Sequence, residues 1–268
     1  MNLPCKDLPL IELRQIYKRF GRNVVLDGLD LVVYASDALA VIGPSGTGKS
    51  TVLRIMCGLL MPDAGEIYIL GKRVEPADIL IGKHGLQMGI VFQNAALFDS
   101  LTVAENVGFY LLEHSRLPRK QILELVEAAL EKVGLVGVSD RYPSELSGGQ
   151  RKRVSFARAI IDDPTVTEKP YKLLLYDEPT AGLDPVASTV VEDLMTSLRT
   201  AENVCDSFVV VTHQHSTIRR TAQRLVLLYQ GRIRYAGKVE EIDQSDDPFV
   251  QQFFSGSTDG PMQIVAKD

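Results

Sequence analysis

Gly43-Pro-Ser-Gly-Thr-Gly-Lys49-Ser50 fills every fixed position of the pattern G-x4-G-K-[ST]. It stands between the continuous apolar run Ala38 to Ile42 and a helical-looking stretch from Lys49 to Cys57 that Gly58 stops. Strand, glycine-rich turn and helix in that order commit the chain to an α/β architecture. The glycines let consecutive backbone N–H groups close on the phosphates of a nucleotide, the helix start adds partial positive charge, and Lys49 supplies a full one. Gly43, Pro44, Ser45, Gly46, Thr47, Gly48, Lys49, Ser50 and Thr51 are therefore the candidate phosphate loop, with Ser50 as a ligand for Mg2+.

A second strand-like run, Leu173 to Tyr176, ends in Asp177-Glu178. A carboxylate at the end of a central strand beside the phosphate loop can hold the metal shell, which is the role expected of Asp177. Glu178, facing the other way along the strand, is placed to orient or deprotonate an attacking water. Gln93 ends the run Met88 to Phe92 and can reach Mg2+ or that water. His213 follows the run Phe208 to Thr212; a lone histidine at a strand end is usually structural, but its position after the Asp177-Glu178 segment favours contact with the γ-phosphate, an expectation that His84, His114 and His215 do not carry.

Leu146-Ser147-Gly148-Gly149-Gln150 opens a helix that continues through Arg153 and Arg158, which makes a second backbone-amide anion site at a helix start. One chain does not need two such sites for one triphosphate. Asp184 precedes the helical stretch Val186 to Leu198, either as a helix cap or as a hydrogen-bonding group across a dimer.

Along the chain, Leu10 to Phe20 and Val24 to Val33 alternate apolar and polar residues around Gly21-Arg22-Asn23, an antiparallel hairpin pattern. Further strands are expected at Glu66 to Leu70 and Leu225 to Tyr229. Thr102-Val-Ala-Glu105 is a capping box, and Ile122, Leu125, Val126, Ala129, Leu130 and Val133 follow helical spacing until Gly134. The expected division is a core over 1–100 and 162–239, a helical lobe over 101–161, and a tail over 240–268. Asp162 to Lys172, with Pro164 and Pro170, reads as an exposed loop, and Phe249 to Phe254 as an amphipathic stretch in the tail.

With 268 residues, a net charge of −5 and no lysine- or arginine-rich block, the chain offers no electrostatic basis for a nucleic-acid groove. No apolar run approaches the ~20 residues of a membrane-spanning helix. Cys5, Cys57 and Cys205 are scattered and lack metal-ligand spacing, so a reduced compartment is expected. The N-terminus shows no secretion signal.

The phosphate loop, the Leu173-to-Glu178 segment and Leu146-to-Gln150 together resemble the ATP-binding-cassette (ABC) proteins. That resemblance implies a RecA-like core with an antiparallel β subdomain and an inserted helical subdomain. It implies adenine stacking at Phe20, which lies 29 positions before Lys49 as the stacking aromatic does in many members, with Tyr17 as the competitor and a hairpin-core role for Phe20 as the alternative. It also implies a homodimer in which Ser147, Gly148, Gly149 and Gln150 of one copy close on ATP and Mg2+ held by the other. More narrowly, Phe92-Gln-Asn-Ala-Ala-Leu-Phe-Asp-Ser-Leu-Thr-Val-Ala-Glu-Asn106, Arg141 to Gly149, Thr212 to Thr217 and Phe249 to Pro261 look like the ATPase subunits of MCE-associated lipid transporters. These are the trigalactosyldiacylglycerol-type importers of chloroplasts and their bacterial counterparts, including the Mla phospholipid system.

This narrower likeness implies a polytopic membrane permease as partner, docking at Asn94 to Thr102, an MCE-domain lipid-binding protein, and a place on the cytoplasmic or stromal face of the membrane. Gln150 stands where members of this group often carry Met. The missing transit peptide points to a bacterial counterpart or a processed form. Phe249, Phe253 and Phe254, if exposed, would make the tail a dimer clasp. The rival readings are a small-solute importer ATPase and a soluble ABC protein of the iron–sulfur assembly type.

Overall fold

A computed structural model describes residues 8–81, 85–166, 171–202 and 204–263. The chain forms two compact units, Met1–Leu86 with Asp206–Asp268, and Gln87–Cys205. Cys5 and His84 lie outside the described residues.

The first unit begins with the expected hairpin, β1 (Pro9–Phe20) and β2 (Asn23–Tyr34), in which Phe20 pairs with Asn23. One face of the hairpin carries the apolar set: Ile11, Leu13 and Ile16 on β1 and Leu29, Leu31 and Val33 on β2 are all buried. β3 (Ala38–Ile42) is buried at all five residues and feeds α1 (Lys49–Met56). β4 (Ala64–Ile69), β5 (Lys72–Val74) and α2 (Pro76–Ile81) come next, giving a sheet ordered β2-β1-β4-β5. Sequence patterning does not reveal β5, because a three-residue edge strand with two basic residues carries no alternation to detect.

The second unit holds β6 (Leu86–Val91), α3 (Val103–His114), α4 (Arg119–Lys132), α5 (Gly148–Ile160), β7 (Tyr171–Asp177) and α6 (Pro185–Thr200), with β6 and β7 as neighbours. Thr102 and Glu105 close the capping box of α3 as expected. Val107, Leu111, Ile122, Val126 and Leu130 form the buried stripe between α3 and α4. α5 lies against β7 through Phe156, whose ring stacks on Tyr176 with centroids 5.0 Å apart. Gly89 lets α5 approach β6 as well, since a Cβ there would collide with the carbonyl oxygen of Ala159.

Two expectations change here. β7 starts at Tyr171, so Lys172 is a buried strand residue and not part of an exposed loop. Its ammonium donates to the Ile160 carbonyl at 2.7 Å and to the Asp162 carboxylate, which is how a lysine survives inside. Burial pulls its pKa down, against the opposing pull of Asp162. Gln93 lies two residues beyond the end of β6, in the turn after it.

The chain then completes the first unit with β8 (Ser207–Val211), α7 (His215–Thr221), β9 (Arg224–Tyr229), β10 (Arg232–Lys238) and α8 (Pro248–Ser255). β3 pairs in parallel with β8 on one side and β9 on the other, and β10 adds antiparallel to β9. The tail packs on its own unit. Phe249 meets Tyr229 with centroids 5.7 Å apart, and Phe253 and Phe254 meet His215 at 5.7 and 4.9 Å. These rings are half-buried, so exposure of Phe249, Phe253 and Phe254 no longer argues for a clasp. Gln252 ties the segment after α8 back to the helix: its side chain accepts from Met262 N at 2.7 Å and donates to Met262 O at 2.9 Å.

Candidate nucleotide site

In the first unit the phosphate loop leaves the end of β3. Gly43 has φ 144 and Gly48 φ 99. A Cβ at Gly43 would strike the Leu228 carbonyl oxygen, and one at Gly48 would come 2.8 Å from Val25 Cγ1, so both positions require glycine for conformation and for space. Lys49 is buried, and its Nζ donates to the carbonyls of Gly43 and Pro44, each at 2.8 Å. The side chain thus folds back across its own loop. Thr47 Oγ1 braces the turn by donating to Pro44 O at 2.9 Å.

The start of α1 differs from that of several other helices. Thr102, Ser147, Asp184 and Asp247 cap α3, α5, α6 and α8 with side-chain oxygens, whereas Gly48 offers α1 no side-chain cap. A helix start without a capping side chain, joined to a buried ammonium, fits a phosphate group. The donors expected for the metal, the Ser50 hydroxyl, the Gln93 amide oxygen and the Asp177 carboxylate, are all hard oxygens of the kind Mg2+ takes.

β8 brings His213 to the same sheet edge as the loop. Val41 pairs with Val211, and Thr212 N donates to Val41 O at 3.4 Å, so His213 and Gly43 leave neighbouring parallel strands at the same level. At the far end of the hairpin, Phe20 is 51% exposed and Tyr17 38%. The Tyr17 ring covers Gly28, with its hydroxyl 3.0 Å from where a Cβ would stand, which leaves Phe20 the more open aromatic face. Lys18 lies 5.6 Å from the Phe20 centroid and is fixed by Asp63 at 2.7 Å.

In the second unit Asp177 closes β7 and Glu178 comes directly after it, both buried. Glu178 has φ 48, a left-handed conformation uncommon for a residue with a side chain. The backbone therefore leaves the strand at this residue, and strand alternation does not set the direction of its carboxylate as the sequence suggested. Leu146-to-Gln150 forms the start of α5, with Ser147 as N-cap. Gly148 and Gly149 lie against the Asp184 turn: a Cβ on them would stand 3.9 Å from Leu183 Cδ2 and 4.0 Å from Ala187 Cβ. Asp184 does cap α6, accepting from Val186 N at 2.9 Å and Ala187 N at 3.0 Å.

Sequence reasoning passed over the groups that hold the turn after Gln93. Lys152 is buried, and its Nζ donates to the Gln93 carbonyl and, at 3.4 Å, to the Glu178 carbonyl. Burial lowers its pKa, while the charges of Asp177 and Glu178 pull it back up. Arg158 donates to Ala96 O at 2.7 Å and Ala95 O at 2.8 Å, two alanines with φ 49 and 59. Asn106 is fully buried, accepts from Phe98 N at 2.7 Å and donates to Phe98 O at 3.0 Å. The signal was present for Lys152: at helical spacing it falls on the same stripe as the buried Phe156 and Ile160, where a charge needs a partner.

The family described as ABC transporter matches residues 26–181. Protein trigalactosyldiacylglycerol 3, chloroplastic, of Arabidopsis thaliana is 53% identical over 263 residues, covering 95% of this chain and 76% of that protein. The intermembrane phospholipid transport system ATP-binding protein MlaF of Haemophilus influenzae is 35% identical over 95% of this chain and 94% of its own length. A sulfate/thiosulfate import ATP-binding protein CysA of Bradyrhizobium diazoefficiens is 38% identical over 95% and 71%. Among solved structures, a dimeric ATP-binding cassette in a post-hydrolysis state with ADP and Pi superposes with TM-score 0.72 at 27% identity, over 85% of this chain and 98% of that one. With the motifs, the fold and these likenesses in agreement, the chain belongs to the ABC transporter family, as an ATP-hydrolysing subunit.

Proposed function

We propose that this ATPase works as a nucleotide-sandwich homodimer that drives lipid transport through a separate polytopic permease, with an MCE-domain lipid-binding protein as the third component. The observation that carries the lipid reading is the 53% identity with the chloroplast trigalactosyldiacylglycerol protein across 95% of the chain. A permease partner is further supported by the exposed aromatics Phe98, in the turn that Asn106 braces, and Phe109 and Tyr110 on α3. Phe98 and Phe109 have ring centroids 4.9 Å apart, an apolar patch suited to a partner's helix. Among the described residues no helix is long and apolar enough to cross a membrane, so peripheral attachment through such a partner fits.

The roles proposed for the site are those of the family resemblance, residue by residue. Gly43 to Thr51 hold the phosphates, with Phe20 under the adenine. Ser50, Asp177 and Gln93 hold Mg2+, which when bound neutralises phosphate charge. Glu178 takes the proton of the attacking water, and His213 contacts the γ-phosphate. Ser147, Gly148, Gly149, Gln150 and Asp184 act on the nucleotide held by the partner copy. The 101–161 segment is proposed as the helical subdomain, on the strength of α3, α4 and α5.

A second reading has a specific support, the 38% identity with a sulfate importer subunit. Isolation of the membrane assembly through a tag on this chain, then extraction and mass spectrometry, separates the two. A bound phospholipid or glycolipid with an MCE-domain protein supports the first, and a periplasmic-type anion receptor with no lipid supports the second.

A further inference from the structure

Lys152 has no place in the phosphate loop, the metal shell or the dimer contact. Even so, it is buried and makes two hydrogen bonds to the backbone. It stands on α5, one turn past the Ser147 cap, with its body on the buried stripe. From there its ammonium reaches two backbone carbonyls far apart in sequence, those of Gln93 and Glu178. Gln93 and Glu178 are the residues proposed for the metal shell and the attacking water. Neither backbone is held by regular structure at that point, since β6 has ended two residues before Gln93 and β7 one residue before Glu178.

Glu178 makes the anchor matter more. Its left-handed backbone, φ 48, is a conformation of order 1 kcal/mol or more above the usual ones and persists only where neighbours impose it. Its carbonyl accepts from Ala181 N at 3.1 Å and from Lys152 Nζ at 3.4 Å, one tie from the next turn and one from α5. The carbonyl and the Cα–Cβ bond of Glu178 belong to the same backbone unit, so a tie on the carbonyl helps fix the point from which the acid side chain starts.

We infer that Lys152 is a positioning residue for hydrolysis: one ammonium registers the Gln93 and Glu178 backbones to the helix that begins with Ser147. The inference rests on the proposed roles of Gln93 and Glu178. Its consequence is that the helix start which meets the partner's nucleotide and the residues which address the water in the same copy are joined by one side chain. A shift of α5 is then carried to Glu178 without any change in nucleotide contacts.

The buried lysine at 172 is the natural control, because it also donates to a backbone carbonyl of this unit, that of Ile160, and to the Asp162 carboxylate. The test compares Lys152→Met, Lys152→Gln, Lys172→Met and Glu178→Gln in the assembly purified through a tag on the full chain, reading kcat, KM for ATP and Tm. The expected result is a kcat about 10- to 100-fold lower in Lys152→Met with KM within about twofold, as misplacement of a reacting group produces. Lys152→Gln, which keeps a donor on a shorter arm, is expected to recover part of the loss. Lys172→Met is expected to lower Tm while leaving kcat unchanged.

Wild-type kcat in Lys152→Met beside an inactive Glu178→Gln overturns the inference and leaves the assignment of the base standing. A fall in Tm alone, with unchanged turnover per folded molecule, overturns it equally. Wild-type turnover in Glu178→Gln sinks the assignment of the base. Should Lys152→Met fail to fold, Lys152→Gln decides, since a folded protein with full kcat contradicts the inference and one with reduced kcat at unchanged KM supports it.

Discussion

Ser147 and Gln150 cap α5 reciprocally: the Ser147 hydroxyl accepts from the Gln150 amide at 3.2 Å, and the Gln150 side chain accepts from the Ser147 amide at 2.9 Å. A hydroxyl can accept and donate at once, so this cap is compatible with a phosphate oxygen on the other side. Gln150 therefore has a local job in this chain, different from what a methionine at that position could do.

Replacing Gln150 by Met removes one arm of the capping box and leaves Ser147 in place. A loss of about 0.5–1 kcal/mol in stability is expected, with ATPase activity only modestly lowered, because Ser147, Gly148 and Gly149 still address the partner's nucleotide. Ser147→Ala is expected to cost about 1 kcal/mol and also to weaken ATP-driven dimerisation. Chemical denaturation together with sedimentation in ATP measures both effects.

Lys49 and Glu178 should separate binding from turnover. Lys49→Ala removes the buried ammonium from the loop carbonyls and is expected to weaken nucleotide binding by about 10- to 100-fold, the range of a lost charge-assisted contact. Glu178→Gln is expected to bind ATP normally, to lose at least about 100-fold in kcat and to accumulate as a closed dimer. Isothermal titration and size-exclusion chromatography with ATP distinguish the two phenotypes.

Asn106 is the internal frame of the turn at Phe98. Besides Phe98, its amide donates to the carbonyls of Leu101 at 3.1 Å and Thr102 at 3.0 Å. Asn106→Leu would leave the Phe98 N–H and several carbonyls without that partner, and a loss of about 2–4 kcal/mol is expected. If the turn docks the permease, recovery of the permease with this variant should fall more than recovery of the folded chain, as measured by quantitative co-purification.

Asp63 supplies a pH signature. The hydrogen bond from Lys18, and then that from Arg19 N, hold its carboxyl below the usual carboxylate range. A depressed folded-state pKa contributes stability that is complete above the unfolded value of about 4 and disappears as pH falls through the folded value. Asp63→Asn should flatten the acid limb of Tm against pH below about 5 and leave the neutral region nearly parallel to wild type.

The parts of this fold that are legible in the sequence are those where one local rule suffices. The phosphate loop, the hairpin at Gly21 and the Thr102 capping box each declare themselves within a dozen residues. β5 and β10 do not, because both are edge strands whose outward residues, such as Arg73 and Arg232, are polar for solvent reasons. Lys172 reads as loop because its charge and the nearby Pro170 outweigh a strand whose first residues sit before the apolar run. Lys152, Arg158 and Asn106 escape for a different reason: their partners are backbone carbonyls, which have no residue identity for a pattern to match. The left-handed turn at Glu178 is likewise silent in sequence, since nothing but tertiary constraint puts a glutamate there.

A crystal structure of the Glu178→Gln chain with ATP and Mg2+ tests the shared nucleotide site most directly. The expected result is a dimer in which the Ser147 hydroxyl of each copy lies within hydrogen-bonding distance of the γ-phosphate held by the Lys49 loop of the other. Two copies that each enclose their ATP unaided, with Ser147 remote from every phosphate, would contradict it.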